Sequence, residues 1–430
     1  LTYDEAVRYL LALGGELAAP RQPAPVAKFD LRNITLLAAA LSNPHRAVPC
    51  AHIAGTNGKG STAAFLASIL QQAGLRTGLY TSPHLERINE RIRADGEEVS
   101  DADFAAVFAR VRGLIEEGLA TGALAAHPTF FECITAMAFV HFAGRCDFAV
   151  YEVGLGGRLD STNIIAPAVC IITQIDFDHE SFLGHSIAEI AAEKAGIIKP
   201  GVPVVCSAER SEARAVIERQ ARELNAPFTH LDDQPQRGDL QLVVPLPGRF
   251  QLRNARAAAA AARILAAQGF AGITDAAIER GIAATRWPGR LERVQEDPAV
   301  YLDGTHNPAG ARELAAFWQE HCAGQHIHLV YGAVRDKAVD EVAGLLFPPA
   351  TTVILTAPRT ARAISAATLA KITAHHATRV EVMAAPEDAL ERALALAAPG
   401  DAVFVTGSLY LVGDLRLHWR RRRMPSSGRA

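Results

Sequence analysis

Cys50-Ala51-His52-Ile53-Ala54-Gly55-Thr56-Asn57-Gly58-Lys59-Gly60-Ser61 decides how this chain is read. An apolar stretch able to form a strand runs into a glycine-rich turn, and Thr62 to Ala73 then reads as a helix. That order builds a phosphate cradle: glycines let backbone N–H groups curl around oxyanions, and a helix N-terminus adds a favourable dipole. Lys59 would reach the outer phosphates, and Ser61 would offer a hydroxyl to Mg²⁺. The stretch departs from the usual P-loop in one respect, because Gly60 separates the lysine from the hydroxyl residue. The reading is a user of a nucleoside triphosphate such as ATP; a plain structural turn is the alternative.

Working outward, 430 residues suggest two or three domains, and a 49% hydrophobic content supplies sizeable cores. A formal net charge of -3 argues against a nucleic-acid binder driven by bulk charge. The basic run Arg420 to Arg423, beside Pro425-Ser426-Ser427-Gly428, reads as a solvated, frayed tail. Cysteines at 50, 133, 146, 170, 206 and 322 form no C-x-x-C pair and read as small buried hydrophobes in a reducing compartment. No stretch has the length of a membrane span, and no basic segment leads an apolar one near Leu1. The expectation is a cytoplasmic protein without membrane or nucleic-acid partners.

Short apolar runs alternate with helical patterns. Strands are expected at Thr77–Thr81, Asp147–Val153, Ala168–Thr173 and Val202–Cys206, with helices at Asp101–Glu117, Thr129–Phe142, Ile187–Ala195 and Gly248–Gln268. The alanines of the last are read as close helix packing. Trp287-Pro288-Gly289 interrupts the pattern, and a fresh series of strands follows at Val300–Asp303, Ile327–Tyr331, Thr352–Leu355, Arg379–Val382 and Ala402–Thr406. The fold class is therefore α/β: a P-loop-type, mostly parallel-sheet ATPase domain followed by a smaller Rossmann-like α/β domain. The expected division is 1–286, a linker at 287–298, and 299–430 with a basic tail.

Ligands of open α/β sheets sit beyond the carboxyl ends of strands. Glu152 ends one such strand, next to the turn Val153 to Asn163, and suits a metal or substrate; an N-cap or turn carboxylate is the alternative. Asp160-Ser161-Thr162-Asn163 alone reads as a capping cluster. A second strand ends in Asp176, Asp178 and His179, although Mg²⁺ prefers oxygen ligands. From sequence physics alone Lys194 is a cation at a helix C-terminus, with Gly196 as the C′ residue. Asp303 could meet a ribose hydroxyl or an ammonium group, or simply cap a helix with Pro308 near N1. Arg290 could close on phosphates or lie on the surface.

Taken together these segments resemble the folylpolyglutamate synthase/dihydrofolate synthase family of the Mur-ligase superfamily. The likeness rests on Ala54 to Ser61, Thr81-Ser82-Pro83-His84-Leu85, Glu152 to Asn163, Asp178-His179 with Leu183-Gly184, Glu193 to Ile197, Asp303-Gly304-Thr305-His306-Asn307 and Thr406 to Tyr410. It covers about residues 30 to 416, and the glycine at position 60 is a feature this family shows. The resemblance implies an ATP-dependent amide ligase joining L-glutamate to 7,8-dihydropteroate, to the γ-carboxylate of (poly)glutamyl tetrahydrofolate, or to both, through an acyl phosphate. It also implies that Asn57, Gly58, Lys59 and Gly60 hold phosphates, that Ser61 lies near the nucleotide Mg²⁺, and that Ser82, Glu152 and His179 ligate a second metal. Lys194 would be the lysine that takes up CO₂ as a carbamate, which requires a depressed pKa. Asn254, Arg290 and Asp303 match positions for base, phosphate and ribose, and His306 lies near glutamate or ATP. Asp160 and Ser161 fall in the dihydropteroate segment, and Asp30-Leu31-Arg32 in the loop that helps form the pterin pocket. That loop is less well matched to the family, and the segment before it, Pro20 to Lys28, is proline-rich and unlike the rest. The family suggests a monomer.

Three rivals follow. A peptidoglycan Mur ligase normally carries a UDP-binding domain, for which the residues ahead of the loop leave no room. A nucleotide-dependent switch would hydrolyse ATP or GTP without joining two molecules. A metal hydrolase built on Asp176, Asp178 and His179 would have no use for the phosphate loop.

Overall fold

The computed structural model describes residues 1–14, 30–233, 242–335, 337–376 and 379–423. The segment Pro20 to Lys28 and the residues after 423 lie outside these.

Two sheets account for the architecture. The first contains β1 (Cys50–Ala54), β2 (Thr77–Tyr80), β3 (Ile92–Ala94), β4 (Glu97–Glu98), β5 (Phe148–Glu152), β6 (Val169–Ile172), β7 (Val204–Cys206) and β8 (Phe228–His230). Their order is β4-β3-β2-β5-β1-β6-β7-β8, parallel except where β3 and β4 turn back at one edge. The second contains β9 (Glu292–Gln295), β10 (Ala299–Leu302), β11 (Ile327–Tyr331), β12 (Thr352–Leu355), β13 (Val380–Val382) and β14 (Ala402–Thr406), ordered β13-β12-β11-β14-β10-β9 with only β9 antiparallel. Central strands such as β1, β5 and β14 are buried at every residue. That is why they are short, continuous apolar runs rather than alternating ones: helices cover both faces of a parallel sheet.

The helix Lys59–Gln72 is buried over ten residues, and its neighbours are chosen for close approach. A Cβ on Gly281, in the helix Asp275–Ala284, would lie 2.4 Å from the Ile69 Cα. The helix Arg249–Ala267 brings a stripe of fully buried alanines, Ala255, Ala257, Ala258, Ala261 and Ala262, into the same core.

Three sequence expectations need correction. The helix after the phosphate loop begins at Lys59 rather than Thr62, because Thr62 N–H already bonds Gly58 O at 2.9 Å. The segment 287–298 carries β9, the edge strand of the second sheet. Arg420 to Arg423 continue the helix Leu409–Arg423 instead of fraying: Arg420 reaches Glu86 at 3.2 Å and Arg422 reaches Glu391 at 2.9 Å.

That last helix ties the two sheets together. A Cβ on Gly413 would fall 2.0 Å from the Leu85 carbonyl oxygen, so only glycine allows this approach. Beside it Arg416 pairs with Glu86 and, at 2.8 Å, with Glu292, all three side chains largely buried. Removing the cation leaves two carboxylates in a poorly solvated contact. Arg416→Ala is expected to cost about 3 kcal/mol, since Arg420 still reaches Glu86, and to lower the thermal midpoint by several degrees in scanning calorimetry. An unchanged midpoint would show that this contact contributes little.

Candidate active site

The phosphate loop leaves β1 at Ala54 and enters its helix through Gly58, whose φ of +85° suits glycine. A Cβ there would lie 2.3 Å from Asn254 Oδ1, so the loop backbone and the Asn254 amide share one small space. The first-turn N–H groups of Lys59, Gly60 and Ser61 are the ones a helix cannot pair internally. Lys59 Nζ curls back over the loop to Gly55 O at 3.0 Å and Thr56 O at 3.1 Å. Desolvation lowers its pKa. Gly60 now has a physical reason: a Cβ would lie 3.2 Å from the Trp287 indole Nε1 and 3.5 Å from Glu152 Oε1. A serine or threonine directly after the lysine would press on that indole, and the hydroxyl is carried by the buried Ser61 instead.

A cavity of about 1830 Å³ opens from this loop. Asn57, Gly58, Lys59, Gly60, Ser61, Ser82, Glu152, Asp160, Ser161, His179, Lys194, Asn254, Arg290, Asp303 and His306 all line it. Leu31 and Arg32 do not. Arg32 is exposed on the first turn of the helix Arg32–Ala40 and Leu31 packs toward the core, whereas Asp30 and Asn33, three residues apart, reach the wall.

Glu152 Oε2 accepts the Ser82 N–H at 3.0 Å, which holds the end of β5 and the loop after β2 together. His179, at φ +52°, turns its Nε2 to Lys337 Nζ at 3.1 Å. Hydroxyl and carboxylate suit a hard divalent ion such as Mg²⁺ or Mn²⁺ with waters completing its shell, and imidazole is the less usual member of the set. Among the described residues, the group whose three His, Cys, Asp or Glu ligand atoms already lie within 4.8 Å is elsewhere, at Asp340, His375 and His376.

Lys194 is not the exposed helix-end cation that sequence physics suggests. It is 4% exposed in the last turn of the helix Ile187–Ala195 and donates to Gly55 O at 2.9 Å. Burial, helped by the Lys59 charge, pulls its pKa down to about 7. Gly196 is right-handed rather than a left-handed C′ residue; it serves close packing, as a Cβ would lie 2.4 Å from Arg158 Cβ.

Asp160 behaves as the capping residue its local pattern suggests. Its oxygens accept the N–H groups of Gly154 and Leu155, both at 3.0 Å, and of Thr162 at 2.9 Å. Thr162 Oγ1 continues to His52 Nε2 at 2.8 Å, and burial holds that imidazole neutral with a pKa of about 3. Asp160 thus shapes the turn at the cavity wall. Burial raises its pKa, and these hydrogen bonds oppose the rise.

From the second domain, Asp303 accepts Leu291 N–H at 2.8 Å and Thr305 N–H at 3.0 Å; the cap of the helix Pro308–His321 is Asn307, not Asp303. His306 Nδ1 meets Gly304 O at 2.7 Å, and its Nε2 stands 3.7 Å from Asp178. Arg290 passes beside Gly304 near enough that a Cβ there would lie 2.3 Å from its Nη1.

Sequence reasoning missed Lys337, whose side chain is 7% exposed and whose Nζ lies 2.7 Å from Asp178 Oδ1. It follows β11 as Asp178 follows β6, so its place beyond a strand's carboxyl end was the available signal. Burial works against charge on Asp178, but the side chains of His306, Lys337 and His179 beside it hold its carboxyl well below the usual range. Also missed were Phe131 and Glu132, on the first turn of the helix Phe130–Phe142, which wall the end of the cavity toward Asp30. The capping box of Thr129 and Glu132 was their signal.

Residues 53–226 match the Mur ligase middle domain, and residues 289–409 match the Mur ligase glutamate ligase domain. A dihydrofolate synthase/folylpolyglutamate synthase of Bacillus subtilis is 36% identical over 410 residues, covering 90% of this chain and 94% of that one. FolC of E. coli, solved with DHPP and ADP, superposes with a TM-score of 0.85 at 28% identity, covering 99% of both chains. The bifunctional folylpolyglutamate synthase/dihydrofolate synthase of Yersinia pestis, solved with AMPPNP and a Mn ion, gives a TM-score of 0.83 at 29% identity over 98% of both.

Phosphate loop, cleft and paired sheets define an ATP-dependent ligase of the Mur type. Within that class the chain belongs to the dihydrofolate synthase/folylpolyglutamate synthase family.

Proposed function

We propose that this enzyme joins L-glutamate to 7,8-dihydropteroate and to the γ-carboxylate of folylpolyglutamates, forming ADP and phosphate. One observation carries the reading: a single cavity runs from the phosphate loop past the turn at Glu152–Ser161 to the aromatic wall at Phe131, with His306 and Lys337 of the second domain on its far side. It therefore has room for a triphosphate, a flat acid and an amino acid at once. ATP phosphorylates the carboxylate, the glutamate nitrogen attacks the acyl carbon, and phosphate leaves. Catalysis of the first step is positioning plus charge neutralisation. Lys59, the helix N-terminus and Arg290 would meet the phosphoryl oxygens, Asn254 the base and Asp303 the ribose. Asp30 and the Asp160 turn would face the pterin acid.

Ser61 would hold the nucleotide metal, and Ser82, Glu152 and His179 a second one; divalent ions there supply charge neutralisation on the transferring group. A carbamate on Lys194 belongs to the same proposal. Lys59, Lys194 and Lys337 crowd one region of the cleft, and a lysine with a pKa of about 7 offers the neutral amine that CO₂ needs. Carbamylation would replace one of three cations by an anion. The proposal also includes a division near residues 287–298, a monomeric state and a cytoplasmic location. Among the described residues no helix is long and apolar enough to cross a membrane.

The test is ATP-dependent phosphate release with L-glutamate, comparing 7,8-dihydropteroate with tetrahydrofolate and identifying products by mass. Products from both are expected. Activity on tetrahydrofolate alone would restrict the enzyme to polyglutamylation, and phosphate release without either acceptor would favour the switch reading.

A further inference from the structure

We infer that Asn307 is a positioning residue that latches the second domain onto the phosphate loop and so keeps water from the activated acyl group. This rests on the ligase reading above. Asn57 Nδ2 donates to Asn307 Oδ1 at 3.1 Å, and Asn307 Nδ2 donates back to Asn57 Oδ1 at 2.9 Å. The two residues are 250 positions apart and belong to different sheets' loops.

The direction of this exchange is set from outside it. Asn307 Nδ2 also donates to Asp178 Oδ2 at 3.1 Å, a carboxylate whose other oxygen already accepts from Lys337 Nζ at 2.7 Å. Asn307 Oδ1 also accepts Gly310 N–H at 2.9 Å, as the cap of the helix Pro308–His321. Those two anchors leave one amide orientation for Asn307, and Asn57 must complement it. Asn307 is 2% exposed and makes two bonds as donor and two as acceptor, the full capacity of its amide. Asn57 is fixed in turn: its neighbour Thr56 bonds Gln174 O through N–H at 2.7 Å and Asp176 O through its hydroxyl at 2.9 Å. The latch therefore joins two rigid parts at the point where the phosphate loop faces the second domain.

The chemistry makes such a seal consequential. In ligation the amine nitrogen attacks the acyl carbon, the carbon–oxygen bond to phosphate breaks, phosphate leaves and the nitrogen sheds a proton. If water enters, its oxygen attacks the same carbon, the same bond breaks and the starting acid is regenerated, so ATP is consumed without an amide.

Two substitutions separate latch from cap. Asn307→Ser keeps an oxygen for Gly310 N–H but loses the reach to Asn57. Asn307→Asp keeps both cap and reach but presents an acceptor where Asn57 Oδ1 and Asp178 need a donor. Both should fold, with KM for ATP within about threefold of wild type. Phosphate released per amide should rise from one in the wild type to about three or more in each variant. A ratio that stays at one in both variants overturns the latch. A wild type that makes no amide from either pterin acid instead refutes the substrate reading, and the latch is then judged without turnover. Small-angle scattering with AMPPNP should show the wild type more compact than Asn307→Asp; equal compactness would overturn the latch.

Discussion

Lys59→Ala is expected to reduce ligation by about a thousandfold or more, with most of the loss in kcat. The lysine sits where charge builds up on the transferring phosphoryl group, and its desolvation makes that charge worth more than it would be in water. Its contacts with Gly55 O and Thr56 O also help hold the loop's shape, so some rise in KM for ATP should accompany the loss. Lys59→Arg should not restore activity, because a planar fork cannot replace a compact ammonium curled inside the loop. Steady-state kinetics, with near-ultraviolet circular dichroism to confirm folding, decides the matter. Near-normal turnover would remove the phosphate site as drawn.

Lys194→Ala is the second large effect, an expected loss of about a hundredfold or more. The unmodified lysine is a burdened residue. Its pKa of about 7 lies below the ordinary 10.5, so between those values the unfolded chain binds a proton that the folded chain does not. Stability therefore rises as pH climbs through that window, and the cost of burying the cation is felt in full below pH 7. The same shift sets when CO₂ can react. With ¹³C-bicarbonate, the carbamate signal of the wild type should grow as pH is raised through about 7 and be absent in Lys194→Ala. Lys59 is one cause of the low pKa, so in Lys59→Ala the signal should appear only at higher pH. A wild type without the signal at any pH would leave Lys194 acting as a bare amine.

Much of this was legible in the chain because parallel strands covered on both faces must be short apolar runs, and glycine and proline mark their ends. The phosphate loop was legible for the same reason: its chemistry depends on residues adjacent in sequence. What escaped depends on approach between distant segments. Nothing local in Asn57 or Asn307 shows that they exchange hydrogen bonds, and nothing local in Lys194 shows that it is buried under Gly55. The pterin loop was read at Asp30-Leu31-Arg32; of these Asp30 reaches the cavity, and helical spacing brings Asn33 to it while Arg32 turns away. The edge strand β9 was hidden by the Pro288-Gly289 turn just before it, and the arginines after 419 looked free only because Glu86 and Glu391 come from elsewhere.

The indole stacked over Gly60 has an optical consequence. Of the three tryptophans, Trp318 and Trp419 are buried in the core of the second domain. Trp287 is half-exposed, touches the phosphate loop and carries the Arg93 guanidinium on its ring at 5.6 Å. One emitter thus stands at the reacting end and two are buried elsewhere, so loading of the loop is expected to change the emission of Trp287, a signal read without attaching a dye.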